Sequence, residues 1–468
     1  MGLTGLQPGR STITAAPMPA HRDEWEERLL AHPTLLRDIA ESVGGQFHLM
    51  YPARVAVNIK AFQQVFAGKG VVGAIYYGKK ANKSPAVVRA CAENGAGVDV
   101  SSAGEFRAAL AGGVLGHDLM VTGPAKSQEL LSLAARHRAL VAIDDLDELA
   151  RLSALGSAHG VLGSAHGVLG GAQGGARALL RVLPPGSTSR FGMTGDELDL
   201  ALTLIDADSI RLEGFSFHLR GYAVADRAAL ASTLIARCRE ARGLGHPVTT
   251  LSIGGGFGVD YVPAAAWDAF RDGVNPRWFH SDRAPQPDSY YPYHCPVPGP
   301  AMLAAILDYE DLGDRLRAAG IRIAIEPGRA LLDRAGSTVF QVQGAKTRTA
   351  HGHPYRILTV NGTSLSLSEQ WFDSEYLPDP VLWPQRPGSV SPTCVGGSSC
   401  LEEDMLSWRR IPLPRPAVTD DLLIYPNTAG YQMDSNESAF HDQPIPPKVV
   451  LHNVTGERCF EWELDSPN

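Results

Sequence analysis

A reachable amine at the end of a strand is the first chemistry this sequence offers. Residues 71–77 form a β-rich run that ends in Gly78-Lys79-Lys80-Ala81-Asn82. Ser84 and Pro85 then read as the cap and first turn of a helix. A lysine between a strand's carboxyl end and a helix stands where α/β barrels and open sheets place their reactive groups; the plain alternative is a charged strand end. Leu251-Ser252-Ile253 runs into Gly254-Gly255-Gly256-Phe257-Gly258, and consecutive glycines expose N–H groups to an oxyanion or a phosphate. No Gly-Lys-Ser/Thr follows, so this is not a Walker A loop, nor is it a GxGxxG dinucleotide fingerprint. A third run ends in Glu326-Pro327-Gly328-Arg329. Its guanidinium can fork a phosphate while its carboxylate holds a protonated ring nitrogen; a structural ion pair is the alternative. Phe215-Ser216-Phe217-His218 puts an imidazole at another strand end, where a hydrogen-bonded core histidine is the competing interpretation. Asp99, in Gly97-Val98-Asp99-Val100-Ser101-Ser102, ends the strand after that of Lys80, and Glu105 opens the next helix.

The elements that must position these groups follow a steady rhythm. Apolar, often β-branched runs fall at 73–78, 97–101, 119–123, 139–143, 178–183, 214–219, 249–253 and 322–326. Helix-patterned segments lie between them at 85–93, 103–111, 127–136, 146–155, 196–205, 226–242 and 302–319. Strands alternating with helices mean βαβ units and a parallel sheet, and eight of them fit a closed (β/α)8 barrel better than a six-strand open sheet. Ahead of the barrel, 1–20 is small, polar and expected to be disordered. A helical stretch at 21–43 follows, then a strand and entry segment at 46–57 and a helix at 58–66. Past Arg329 come short β runs at 337–342, 355–360, 390–395, 421–425, 448–452 and 458–463, without long helices. The fold class is therefore α/β plus all-β: an extension and helix over 1–45, a barrel over 46–335, and a β domain over 336–468 joined by strand residues from the N-terminal segment. Two segments break the rhythm. Ser157–Gly163 (SAHGVLG) is repeated letter for letter at 164–170 and reads as a tolerated surface-loop duplication, with His159 and His166 not taken as ligands. Residues 273–300 carry Trp278, Phe279, Tyr290, Tyr291 and Tyr293 and suggest a lid or an interface loop.

The candidate groups all fall at the same end of successive strands. A lysine, a phosphate cradle, a carboxylate for a pyridinium and a flat imidazole together point to pyridoxal 5′-phosphate, with the lysine forming the Schiff base. Six ordered motifs then carry a resemblance: Lys80-Ala81-Asn82, Asp99 through Glu105, Ser189-Arg190-Phe191-Gly192, Phe217-His218, Gly254-Gly255-Gly256-Phe257 and Glu326-Pro327-Gly328-Arg329. In this order they resemble the fold-type III decarboxylases, which act on ornithine, diaminopimelate and arginine and include relatives in natural-product pathways. The resemblance covers most of residues 45–455. It implies an alanine-racemase-like barrel followed by a β domain, with Lys80 as the Schiff-base lysine and His218 stacked on the cofactor ring. Asp99 joins the cofactor site, Glu326 partners the pyridine nitrogen, and Gly255, Gly256, Arg329 and Tyr431 contact the phosphate. Cys400 with Asp404 resembles the cysteine–acidic element that reaches a neighbouring subunit's site, which implies a homodimer with shared sites.

Three departures bear on the substrate. Ser398-Ser399 precede Cys400 and Leu401 follows it, where the family usually has Gly-Pro before and an acid just after. Arg220-Gly221 replace the common Gly-Ser after His218, removing a phosphate hydroxyl and adding a cation. Asn361-Gly362-Thr363-Ser364 replaces an aspartate-glycine start. The expected activity is decarboxylation of an amino acid or an amino-acid-derived intermediate. Arg220 suggests an extra carboxylate on it, as in a siderophore or other secondary-metabolite intermediate. An amino-acid racemase and a catalytically silent regulatory homologue are the alternatives.

Composition sets the outer bounds. In 468 residues, 44% are apolar and 20% charged, ordinary for a globular protein with a sizeable core. A net charge of −8 gives no footprint for nucleic acid, and no apolar run approaches the ~20 residues of a membrane span. Cysteines 91, 238, 295, 394, 400 and 459 show no CxxC spacing, which argues for reduced thiols in a cytoplasmic protein and against a zinc site.

Overall fold

The structure is a computed structural model that describes residues 13–165, 175–283, 290–368, 375–453 and 460–466. His166, Cys459, most of the second SAHGVLG copy and 284–289 lie outside them, as does the side chain of His159. Two compact units divide the chain. One comprises Met1–Tyr51, Asp260–Pro296 and Arg334–Leu464; the other comprises Pro52–Val259, Val297–Asp333 and Asp465–Asn468.

The first strand, β1 (Phe47–Met50), belongs to the first unit. In the second, β2 (Gly73–Gly78), β3 (Gly97–Val100), β4 (Leu119–Val121), β5 (Leu140–Ile143), β6 (Ala176–Arg181), β7 (Ile210–Ser216), β8 (Thr250–Ser252) and β9 (Arg322–Ile325) close into a barrel. Every pairing is parallel, and β9 returns to β2 in the register Gly73↔Ile323 and Ile75↔Ile325. Because both faces of these strands are covered, they read as continuous apolar runs, which is why all eight are visible in the sequence. Leu140, Val141, Leu179, Leu251 and Ile323 are fully buried. The amino-terminal end is closed by ions: Arg177 Nε bonds Glu213 Oε1 at 2.7 Å, and Arg322 Nη2 lies 3.3 Å from Glu213 Oε2. The carboxyl ends point the other way, toward the face where barrels do chemistry.

Helix ends are set by local chemistry. Ser84 accepts from the Val87 N–H and caps the helix Pro85–Glu93. Thr194 and Glu197 form a reciprocal capping box for Gly195–Leu204. The segment expected as one helix at 302–319 is two, Gly299–Asp308 and Leu312–Ala319, because Glu310 and Asp311 adopt φ of 47° and 55°. The helix from Leu146 extends to Ala165 and so runs through the first SAHGVLG copy. That copy is not a loop: Ala, Leu and Ser sustain the helix despite the glycine cost of about 1 kcal/mol per residue.

The first unit is a nine-stranded sheet. To β1 it adds β10 (Gly336–Ala350), β11 (His353–Val360), β12 (Val381–Trp383), β13 (Ser391–Gly396), β14 (Met405–Leu413), β15 (Leu422–Tyr425), β16 (Lys448–Asn453) and β17 (Phe460–Leu464). β1 is paired antiparallel to β10 and parallel to β16. The helices Glu24–Ala31 and Leu35–Val43 pack Trp25, Leu29, Leu36 and Ile39 against β1, β10, β15 and β16. Residues 13–20 are ordered here, contrary to expectation. Ile13 and Met18 are buried, the Met18 N–H donates to Asp379 Oδ2 at 2.7 Å, and the Ala15 N–H donates to the Arg410 carbonyl at 3.1 Å. The aromatic stretch expected as a lid or an interface loop packs part of itself into the core of this unit. Phe279 and Tyr293 are fully buried, and Tyr293 meets Tyr261 and Tyr376 edge-on at 5.6 Å each.

Candidate active site

Lys79 to Ala81 form a single 3-10 turn directly after β2. The turn buries Lys79, at 4% exposure, and leaves Lys80 exposed. The two adjacent lysines are thus separated by backbone geometry, and Lys80 is the reachable one. The turn is held from behind. Tyr77 donates its hydroxyl to the Asn82 carbonyl at 3.0 Å, and the Ser84 N–H donates to Asn82 Oδ1 at 2.9 Å. Asp465 accepts from the Ser84 hydroxyl and, at 3.1 Å, from the Ala86 N–H.

Neighbouring strand ends converge on the same space. Register pairs Gly78 with Asp99, and Ser216 with Ser252. Backbone bonds stitch the loops beyond: Gly78 N–H to the Pro327 carbonyl at 3.2 Å, Glu326 N–H to the Gly254 carbonyl at 3.0 Å, and Phe217 N–H to the Ser252 carbonyl at 3.0 Å. The charge of Lys80 is felt by Asp99, Glu326 and His218 alike. Lys80, Asp99, His218, Gly255, Gly256 and Glu326 therefore share one barrel mouth. Arg329 is buried in the turn just past Glu326, and Arg220 is exposed on the loop after His218.

The carboxylates are tuned upward. Burial raises the pKa of Glu326, against the Ser252 hydroxyl donating at 2.6 Å and the cations of Arg181 and Lys80. Burial and the charge of Glu326 raise Asp99 well above the carboxylate range, against the Thr122 hydroxyl at 2.7 Å and Lys80. The charge of Glu326 thus disfavours ionisation of Asp99. His218 is held neutral. Its Nδ1 accepts from the Gly255 N–H at 3.3 Å, and burial followed by the charges of Lys80, Arg181 and Arg227 pushes its pKa down. His218 itself stays exposed just past the end of its strand.

The glycine turn is shaped as a cradle. Gly254 and Gly256 have φ of 70° and 79°, a region that side chains rarely adopt. A Cβ at Gly254 would come 2.6 Å from the Phe217 carbonyl, at Gly255 2.7 Å from the Glu326 carbonyl, and at Gly256 2.7 Å from Arg227 Nη2. Only glycines allow this approach; the Gly254 N–H donates to Ser252 Oγ and the Gly255 N–H to His218 Nδ1, both at 3.3 Å, so the turn is pinned to its neighbouring strand ends. With a lysine, a carboxylate for a ring nitrogen and a neutral imidazole alongside, the donor set fits pyridoxal 5′-phosphate.

Several members of the site were not legible as chemistry. Ser252 orients Glu326, and Thr122 orients Asp99. Arg181, at the end of β6, stacks over Phe191 with 4.5 Å to the ring centroid and bonds Asp144 at 3.2 Å. Asp144 also accepts the Gly192 N–H at 3.1 Å, so the Ser189–Gly192 motif works by seating Arg181. Lys126 and Glu148 form a buried pair at 2.6 Å, and Lys126 also bonds the Gly123 and Ala142 carbonyls. That pair fixes the loop after β4.

Cys400, Asp404 and Tyr431 belong to the sheet unit. Cys400 is exposed on the loop between β13 and β14. Asp404 is buried, and its carboxylate accepts the Ser364 N–H at 2.7 Å and the Ser399 N–H at 3.1 Å. Tyr431 adopts φ 80°, and its carbonyl accepts from the Asp434 and Ser435 N–H groups at 3.1 and 3.0 Å. A tyrosine in that region costs of order 1–3 kcal/mol.

A barrel of this topology with a lysine, an acid and a glycine cradle at its mouth defines a pyridoxal-phosphate enzyme of the barrel type. The comparisons agree. A family model described as pyridoxal-dependent decarboxylase, pyridoxal binding domain, matches residues 53–275. An uncharacterised protein of Sinorhizobium fredii is 35% identical over 450 residues, covering 94% of each chain. A diaminopimelate decarboxylase of Actinosynnema pretiosum is 27% identical and aligns with 91% of this chain and 90% of its own. The solved diaminopimelate decarboxylase of Helicobacter pylori in complex with L-lysine shares the fold with a TM-score of 0.68, at 17% identity and 94% and 96% coverage. The chain belongs to the fold-type III pyridoxal-phosphate-dependent decarboxylases. It is an amino-acid decarboxylase by class, its cofactor is pyridoxal 5′-phosphate, and the racemase alternative is not favoured. Among the described residues, no helix is long and apolar enough to cross a membrane.

Proposed function

We propose that Lys80 carries the cofactor at the barrel mouth and that this site removes the Cα carboxylate of an amino-acid-like substrate bearing a second anionic group. The convergence of Lys80, Asp99, His218 and Glu326 at one mouth, all electrostatically coupled to Lys80, carries this reading. When bound, the pyridine ring accepts the electron pair left on Cα as CO2 departs.

The chain's own groups arrange that event. Lys80 would hold the cofactor through its amine. Glu326, oriented by the Ser252 hydroxyl, would keep a proton on the ring nitrogen through its negative charge. Asp99 supports that charge balance from the next strand. His218, oriented by the Gly255 N–H, would support the ring. Gly255, Gly256 and Arg329 would take the phosphate. Cys400 would return a proton to Cα, and Asp404 holds the loop that carries it by accepting the Ser364 and Ser399 N–H groups. Cys400 serves the site of a second copy, which makes the working unit a homodimer. Arg220, exposed beside His218, pairs with the substrate's extra carboxylate. Leu401, where the family usually has an acid, argues against a plain diamino-acid substrate and for a conjugated secondary-metabolite intermediate.

Release of CO2 across a panel of free and conjugated amino acids tests the reading. Turnover of a substrate with a distal carboxylate is expected, and Lys80→Ala should abolish both CO2 release and the lysine-linked absorbance of the bound cofactor. Survival of that absorbance would overturn the role of Lys80. Deuterium exchange at Cα without CO2 release would overturn decarboxylation by this site.

A further inference from the structure

One buried cation near the glycine turn has no anionic partner among the described residues. Arg227 sits in the first turn of the helix Val224–Gly243 with 0% exposure. Its Nε and Nη1 make no hydrogen bond, and Nη2 reaches only the Leu219 carbonyl, at 3.4 Å. No carboxylate pairs with it among the described residues. Burial pulls its pKa down to about 10, against the charges of Tyr222 and Asp226. A buried guanidinium left this way costs several kcal/mol and persists where something else supplies the anion.

The geometry identifies the anion. The Arg227 guanidinium lies against the glycine turn, with Nη2 2.7 Å from where a Gly256 Cβ would stand, and its carbon is 6.0 Å from the Phe257 ring centroid. The loop between β7 and this helix closes the same space, with the Gly221 and Leu219 carbonyls 3.1 and 3.6 Å from that Cβ position. This is the loop in which Arg220-Gly221 replace the Gly-Ser pair of the resembling family and so remove a phosphate hydroxyl. We propose that Arg227 is the compensating counter-cation of the cofactor phosphate, substituting charge from below the glycine turn for that missing hydroxyl. The proposal rests on the assignment of this mouth as the cofactor site.

The test separates the phosphate from the rest of the cofactor. Full-length apoprotein is titrated with pyridoxal 5′-phosphate and with pyridoxal, which lacks the phosphate, and Kd is read from the lysine-linked absorbance. Arg227→Met is expected to weaken the phosphorylated cofactor about 10- to 100-fold while leaving pyridoxal unchanged, and Arg227→Lys should restore part of the difference. Inorganic phosphate should raise the Tm of wild-type apoprotein more than that of either variant. Equal weakening of both ligands, or an unchanged ratio, would overturn the proposal. If Arg227→Met does not fold, the lysine variant and the phosphate-dependent Tm decide the matter by the same comparison. Failure of the wild-type protein to show an absorbance that depends on Lys80 would instead overturn the site assignment itself.

Discussion

At the scale of residues, the site divides into groups that announce themselves and groups that do not. Lys80, Glu326 and the three glycines stand out because a lysine, an acid and a glycine run are unusual at strand ends. Ser252, Thr122 and Arg181 do not, because a hydroxyl or an arginine in those places is unremarkable until the carboxylate it bonds is known. Asp404 shows the converse: an acid near a cysteine suggests substrate contact, whereas its oxygens accept the Ser364 and Ser399 N–H groups. The raised basicity of Glu326 makes a specific prediction. Glu326→Gln keeps the size and the bond from Ser252 but cannot hold a proton for the ring nitrogen. It should lower kcat about a hundredfold or more with little change in cofactor affinity, and an unaltered kcat would remove Glu326 from the ring-nitrogen role.

Among elements, what was readable tracks burial on both faces. The eight barrel strands and most of the helices between them are visible as apolar blocks. β12 and β14 are not, since β12 has only three residues and β14 buries Arg409 and Arg410 in a run interrupted by Pro412, which dilutes the apolar pattern. The ordering of 13–20 was hidden because Ile13, Ala15 and Met18 are too few to signal burial without their partners. The helix Glu24–Ala31 offers an element-scale test. Glu26 faces inward, bonded by the Ser337 hydroxyl of β10 at 2.5 Å and by the Asp23 N–H at 3.1 Å. Burial, opposed by those bonds, raises its pKa from 4.5 to about 7. A folded-state pKa above the unfolded one contributes stability that is whole below about pH 4.5 and is lost as pH climbs through about 7. Glu26→Gln cannot titrate, so its stability relative to wild type should improve between about pH 5 and about pH 8, by roughly 3 kcal/mol at most. Urea unfolding midpoints measure it, and parallel pH curves for the two proteins would refute the shift.

At the scale of the whole molecule, the candidate groups are split between the barrel, which carries Lys80, and the sheet unit, which carries Cys400. If active sites are shared between copies, mixing Lys80→Ala protein with Cys400→Ala protein should recover activity above the sum of the two, up to about a quarter of wild type, because half the dimers are mixed and each has one intact site. Recovery of nothing after dissociation and reassembly would mean that each chain works alone.

The pairing of β9 with β2 has a further consequence, for how the protein comes into being. It joins Gly73 to Ile323, so the mouth cannot exist until nearly three-quarters of the chain has left the ribosome and its two ends have met. Loop closure over that length is slow and entropically costly, and it must precede any grip on the cofactor. A ligand that binds only the closed ring then acts as a clasp on the folding equilibrium, drawing it toward completion in proportion to its own abundance. Supply of the vitamin-derived cofactor would in this way govern how much of the protein accumulates, as well as how fast it turns over.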